Sequence, residues 1–546
     1  MKKFRFRSVV KMASAKMSIK SAALILASST LISALLGLFR DRLLNSYYLG
    51  TYPTGIDAYT AAFTIPDFMF FILTSGALAV SFIPVFNERL AKGNKKSAWE
   101  MSSSLLNLLA LLTLITSVLI MVFADPLIRY VVSPGLDESG MILAINMTRV
   151  IAINPFLFSI ATVLTSMQQA VGRFVFYAFA PAIYNIGIII GITWFTNGIN
   201  LFGTQIFEGG IMGVALGVIL GAVMQLIVSL IGLFGLGFDY EFKIYWKNQG
   251  FRTILKLLPP RSLDQGIDYV NAIINTNLSS RMGAGAVRSF NQASSLHQMP
   301  INLIGVAIST AFFPKLTEEL GSGDKSEFYA SFRRALRMII WISLPVAAIA
   351  FFARGYVTSF ISNIGSSDQN GTIASVLGTL CIAIFARSVF HIASRGFYAC
   401  QDTKTPFWVS IVAIGLTILF SIWFYLLGWG VDGLGLAQSL GAVIEIVVLL
   451  AILQKRSDRQ LLTRDFWRAA IRMLFATVIA GCVAFSLTKF IPLMATDVSL
   501  VITVPKFLLI ATGSILAYAA ASYFLGLGEI QPVLERVKKL LFRNMK

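Results

Sequence analysis

The sequence predicts an all-α polytopic membrane protein of about 14 transmembrane helices, built as two pseudo-symmetric six-helix lobes followed by two C-terminal helices. Three observations carry that prediction. Of the 546 residues, 56% are hydrophobic and only 13% charged, whereas a soluble domain carries about a quarter charged. Apolar runs of roughly 20 residues, enough to cross about 30 Å of hydrocarbon as helix, recur from end to end. One stretch is also written twice: FIPVFNERLAKGNKKS at 82–97 returns as FFPKLTEELGSGDKSE at 312–327.

Taken in order, residues 1–20 are a basic N-terminus. The run 21–44 is a retained first span and not a cleaved signal peptide, because it has full length and carries Arg40 and Asp41 near its end. Spans at 58–86, 103–124, 141–167, 175–196 and 211–236 complete a first lobe over 21–240. The second lobe, 241–455, opens with the two least apolar spans, 261–280 and 287–314, and continues through 333–353, 372–398, 406–428 and 433–454. Two further spans, 468–491 and 501–525, lie in the last segment, 456–546. The lobes echo each other twice. Besides the 82–97 and 312–327 pair, GVALGVILGAVMQLIVSL at 213–230 matches GLGLAQSLGAVIEIVVLL at 433–450, with Gly213 over Gly433, Gly221 over Gly441 and Gln225 over Glu445. Six spans per lobe is an even number, so both lobes enter the membrane with the same orientation. That is a parallel repeat, the arrangement in which substrate sites lie between halves that rock in alternation. A duplicated bundle acting only as scaffold is the alternative.

The formal net charge of +19 would suit a nucleic-acid partner if the basic residues made one patch. They alternate instead. NERLAKGNKK, FKIYWKNQGFRTILK, QKRSDRQLLTRDFWR and the C-terminal ERVKKLLFRNMK hold much of the charge, while NSYYLGTYPTGID, TNGINLFGTQIFEGG and LGWGVDG hold almost none. By the positive-inside rule this is an orientation signal that places both termini in the cytoplasm. Anionic lipid headgroups, and not nucleic acid, are the matching partner.

Ionisable groups within spans cost about 2.5–3.5 kcal/mol or more each, so they face a wet cavity or a partner. The first lobe holds Arg40, Asp41, Arg42, Asp57, Asp67 and Arg149. The second holds Asp264, Asp268, Arg288, His297, Arg387, His391, Arg395 and Glu445. Arg387, His391 and Arg395 are spaced i, i+4 and i+8, which sets three potential cations on one helical face. Such a stripe suits a pyrophosphate, since guanidinium groups bind phosphate oxygens bidentately. The alternative is that these cations pair with Asp264, Asp268 or Glu445, or snorkel to an interface. There is no G-x-x-x-x-G-K-[ST] phosphate loop, no HExxH and no CxxC, and the three cysteines have no paired spacing. ATP hydrolysis, a metal centre and disulfides are therefore not expected, and the chain reads as a transporter and not an enzyme.

SALLGLFRDRLL at 33–44, DAYTAAFTIPDF at 57–68, SGALAVSFIPVFNE at 75–88, MPINLIGVAISTAFFPKL at 299–316 and GFYACQDTKTP at 396–406 resemble segments of the MurJ (MviN) family of lipid II flippases. That family lies within the superfamily of multidrug and polysaccharide-lipid exporters. The resemblance implies a flippase that carries an undecaprenyl-pyrophosphate-linked peptidoglycan precursor to the outer leaflet by alternating access, for cell-wall synthesis and cell shape. It implies residence in the bacterial cytoplasmic membrane, no cofactor, and coupling to the membrane potential or ions. A monomer is expected. Another polyprenyl-linked saccharide, or drugs, would be the cargo of sister families. Arg40, Asp41 and Asp57 match charged family positions. Three positions that are usually arginine read here as Ala34, Phe70 and Ser295, and a common Glu reads as Ser75. Arg288, Arg387, His391 and Arg395 are the expected replacements, so the implied substrate-binding set is Arg40, Asp41, Asp57, Arg288, Arg387, His391 and Arg395. The span at 406–428 has no Asp or Asn, so a sodium site is not expected there.

Overall fold

A long apolar run has few ways to satisfy its backbone without water, and the α-helix is the local one. The computed structural model describes residues 19–201, 204–322, 325–362, 368–457, 461–494 and 496–541. The N-terminal KKFRFR segment and the side chains of Ser75 and Asp264 lie outside the described residues. The helices are α1 (Ile19–Tyr48), α2 (Pro53–Ala62), α3 (Thr64–Phe70), α4 (Gly76–Ala91), α5 (Lys95–Val122), α6 (Glu138–Ile151), α7 (Asn154–Ala170), α8 (Val175–Thr193), α9 (Met212–Ile231) and α10 (Gln249–Ser280). They continue as α11 (Ala286–Ile301), α12 (Ala307–Gly321), α13 (Lys325–Phe352), α14 (Arg354–Thr358), α15 (Asp368–Ala399), α16 (Lys404–Leu426), α17 (Gly430–Arg456), α18 (Arg464–Phe490), α19 (Leu500–Phe524) and α20 (Gln531–Leu541). A short antiparallel hairpin, β1 (Ile199–Leu201) with β2 (Thr204–Phe207), pairs Leu201 with Thr204 between α8 and α9.

Among the described residues, twelve helical segments are long and apolar enough to cross a bilayer. The first and seventh of the fourteen expected spans are not among the twelve, yet helices stand at both places. α1 has 30 residues and α10 has 32, lengths of about 45 Å at 1.5 Å per residue. In α10 the polar run RSLDQGIDYVNAIINTN lowers the hydropathy. Several helices start on side-chain caps that satisfy orphan backbone donors: Asn94 accepts from Ser97 N at 3.0 Å, Asp137 from Gly140 N at 3.1 Å and Asn248 from Phe251 N at 3.2 Å.

Two compact units divide between Val287 and Arg288. In the first, α10 packs on the N-terminal helices: Tyr269 stacks on Phe71 at 4.5 Å, Asn277 donates to the Val131 carbonyl at 2.7 Å, and Ser280 Oγ accepts from Gly135 N at 3.1 Å. The unit boundary therefore falls later in the chain than the repeat boundary at 240. In the second, Phe328, Phe332, Leu336, Phe397 and Leu449 are each at most 1% exposed in one core that joins α13, α15 and α17. The two C-terminal helices join this unit through α13, where Trp341 lies 5.7 Å from Tyr518 and donates to Ser522 Oγ at 3.2 Å.

The repeated glycines mark close helix crossings in both units. In α8 and α9, a Cβ on Gly187 would lie 2.2 Å from Gly221 Cα, and one on Gly191 would lie 2.5 Å from Gly217 Cα. In α17, a Cβ on Gly441 would meet Thr417 Oγ1 of α16 at 1.8 Å. Small residues let helix backbones approach where lipid supplies no hydrophobic drive for association. Outward-facing side chains are correspondingly apolar: Phe524 is 84% exposed, Val501 81% and Leu303 77%.

Candidate substrate-binding site

Each unit builds its own set of intramembrane charges. In the first, α1 brings Arg40 against α8. Arg40 Nη1 donates to Asn185 Oδ1 at 3.0 Å, while Nη2 and Nε donate to Asp41 Oδ1 at 3.0 and 3.3 Å. Asn185 in turn donates to the carbonyls of Ser33 and Pro181 at 3.3 Å each, which ties the arginine to two helix backbones. Arg40 and Asp41 thus form a braced ion pair, with side chains 25% and 15% exposed. Asp57, on α2, is fully buried and accepts from the backbone N–H of Gly285 at 2.6 Å. It clasps the loop between α10 and α11 to the first unit.

In the second unit, α15 carries the predicted stripe. Arg387 Nη1 donates to Glu445 Oε2 at 3.1 Å, and Ser410 Oγ donates to Glu445 Oε1 at 2.6 Å, so the carboxylate, itself 1% exposed, is shared between α15, α16 and α17. This is the pairing alternative that the sequence left open for Arg387. One turn on, half-buried His391 packs beside Gly305, where a Cβ would lie 3.2 Å from the ring Cδ2. Another turn on, Arg395 sits 5.0 Å above the Phe313 ring and its Nη2 donates to Thr310 Oγ1 at 3.4 Å. Among the described residues, neither His391 nor Arg395 has a carboxylate partner. Arg288, 4% exposed, directs its guanidinium nitrogens at the Gln292 side-chain amide, whose oxygen is assigned to that side because the arginine only donates, at 2.7 to 3.2 Å.

Three of the seven predicted residues, Arg387, His391 and Arg395, share one face. Arg40 and Asp41 share another in the first unit, and Asp57 and Arg288 are held by a backbone donor and an amide. Ala34 and Ser295 are exposed, and the Ser295 hydroxyl is turned back to the Asn291 carbonyl at 3.0 Å. Sequence reasoning missed Asn185, Ser410 and Gln292, neutral residues whose roles appear only when helices pack. The fourfold periodicity around Arg288 (Arg288, Gln292) was the one available signal.

With this geometry in hand, similarity to known proteins decides the family. A family model described as lipid II flippase MurJ matches residues 45–505. The chain belongs to the MurJ family. A lipid II flippase MurJ of Burkholderia cenocepacia is 27% identical over 452 residues, covering 81% of this chain and 85% of the relative. A probable lipid II flippase MurJ of Buchnera aphidicola is 26% identical, with 84% and 88% covered. A solved structure described as lipid II flippase MurJ in an inward closed conformation superposes with a TM-score of 0.73 at 21% identity, covering 96% of this chain and 99% of that one. An inward-facing multidrug resistance MATE family transporter of the MOP superfamily gives 0.65 at 18% identity, covering 83% and 99%. These structures share the fold of this chain.

Proposed function

We propose that this protein moves lipid II, an undecaprenyl-pyrophosphate-linked glycolipid, from the cytoplasmic to the outer leaflet of the bacterial inner membrane, acting as a monomeric transporter with both termini cytoplasmic. One observation carries the reading. The α15 face holds Arg387, His391 and Arg395 over two turns, and its only carboxylate among the described residues is Glu445 on Arg387. A surplus of positive charge inside a bilayer is costly by itself. It becomes favourable when an anionic headgroup arrives, and a pyrophosphate matches guanidinium forks. The polyprenyl tail stays in lipid, and no phosphate loop for ATP is present in the sequence, so the drive comes from the membrane potential or ions. The MurJ relatives named above support the choice of lipid II.

A second reading rests on the replacement of three family arginines by Ala34, Phe70 and Ser295: the cargo would then be another polyprenyl-linked saccharide. The deciding experiment expresses the chain in cells whose own flippase can be inactivated and scores outer-leaflet lipid II with an externally added cleaving enzyme. Restored cleavage that is lost in Arg387→Ala is the expected result. No restoration by a folded, inserted protein would reject lipid II and favour the second reading.

A further inference from the structure

The repeat that aligns Pro84 with Pro314 extends upstream. At the same 230-residue offset, Met69 falls on Met299, Leu73 on Leu303, and Asp67 on His297. The structure repeats there too. A π-helical turn at Phe71–Ser75 follows α3, and another at Asn302–Val306 follows α11, at equivalent positions within one residue. Each half therefore places a titratable side chain about one turn before a π-helical turn that leads into a proline-bearing helix. π-turns inside α-helices concentrate at functional positions and mark places where the backbone ladder is already interrupted.

Neither group is neutralised by its surroundings. Asp67 is half-buried, and among the described residues no side chain donates a hydrogen bond to it or forms an ion pair with it. Around it stand the phenols of Tyr184 on α8 and Tyr269 on α10, with Arg40 on α1 and Tyr59 on α2 reached through Tyr184, and Asp268 through Tyr269. Arg40 is already committed to Asp41 and Asn185, and Asp57 to Gly285. Helix α7, packed against α3, has no ionisable residue. α5 has them only in its first turns, at Lys95, Lys96 and Glu100, and Arg129, on a further π-helical turn at Leu127–Val132, is paired with Asp125 and Glu138. His297 is 7% exposed, and its enclosed Nδ1 has no side-chain partner. The charged group facing it is Arg387 on α15, with His391 one turn further along that helix, while Arg288, nine residues back on its own helix, lies on the opposite face. The arginines of α13, Arg333, Arg334 and Arg337, lie towards the start of that helix.

We propose that Asp67 and His297 are a pair of proton-binding positions, one per half, whose protonation is linked to binding of the anionic headgroup. This rests on the reading given under Proposed function. The chemistry of the two groups differs but the charge change does not. A proton from water added to the Asp67 carboxylate makes a neutral acid and removes a negative charge from the Arg40 region. A proton added to the free ring nitrogen of the neutral His297 imidazole makes an imidazolium beside Arg387. Each step moves its own unit towards positive charge, so binding of an anion and proton uptake reinforce each other. Linkage makes the effect reciprocal. Adjacent π-turns supply elements whose geometry a change of charge can bias.

The test uses the full chain in nanodiscs under weak buffering, with farnesyl pyrophosphate as the probe and a pH-sensitive dye as the readout. Wild type is expected to take up protons when the probe binds, and its affinity for the probe to fall as pH rises, by up to about tenfold per pH unit for each linked proton. Asp67→Asn and His297→Gln should each reduce the uptake, the double variant should leave only the probe's own contribution, and Asp67→Glu should restore it. Uptake unchanged in both single variants overturns the proposal, as does a probe affinity that responds to sodium and not to pH. If the folded wild type binds no probe, the headgroup reading is what fails. Infrared spectroscopy then decides the two proton sites: a titrating carboxylic-acid carbonyl band lost in Asp67→Asn but kept in Asp268→Asn, together with a titrating imidazole ring band lost in His297→Gln, supports them, and the absence of either overturns the pair.

Discussion

Glu445 illustrates how one residue joins stability to function. Its carboxylate is buried, is held by Ser410, and neutralises Arg387 on the stripe that binds substrate in our reading. Removing one partner of a buried pair strands the other, at a cost of about 3–5 kcal/mol. Because Arg387 keeps 28% exposure, the lower end, about 3 kcal/mol, is expected for Glu445→Ala. Thermal unfolding in detergent checks this, and Arg387→Met in the same chain should recover part of the loss. The sequence already showed Arg387 and Glu445 as costly intramembrane charges. It could not show that they meet, because their spacing of 58 residues is bridged only by the packing of α15 on α17.

Between elements, the glycine crossings and the loop capping α16 make separate demands. Gly187→Val would drive side-chain atoms into the Gly221 backbone, which cannot move aside as a side-chain tip could. A loss of several degrees in Tm or failure to accumulate is expected. Gly415→Ala, in open space on α16, should be neutral or stabilising by up to about 1 kcal/mol. At Asp402, burial pushes the carboxyl up. Hydrogen bonds from the Thr405 hydroxyl and backbone N–H, and the ion pair with Arg456 at 2.6 Å, outweigh that and hold it down at about 2. A depressed carboxyl stabilises above its unfolded value near 3.8 and loses that contribution as pH falls towards about 2. Asp402→Asn should therefore cost about 1 kcal/mol at pH 7, allowing for solvent screening of the exposed Arg456. The gap between variant and wild-type unfolding curves should close as pH drops from 4 towards 2.

At the level of the whole molecule, alternating basic loops predict a topology that cysteine labelling tests. In a chain with Cys381, Cys400 and Cys482 replaced, a membrane-impermeant maleimide should label Glu208→Cys in the β-hairpin region from outside intact cells. Lys95→Cys, at the start of α5, should react only after permeabilisation. Labelling of Lys95→Cys in intact cells would invert the orientation.

Composition and apolar run length determined that this chain is a helical membrane protein, because hydrocarbon leaves the backbone few alternatives. The duplicated stretches predicted a two-part organisation with its boundary at 240, whereas the two compact units divide at 287/288, and the intramembrane charges named most of the residues worth examining. Tertiary structure alone decided which charges are satisfied. Arg40 meets Asn185 across 145 residues, Asp57 meets the Gly285 backbone across 228, and α10 packs with the first unit although the repeat assigns it to the second half. Periodicity reports which face of a helix is apolar, while the partner of a polar group depends on which other face arrives there, and only the packed helices fix that.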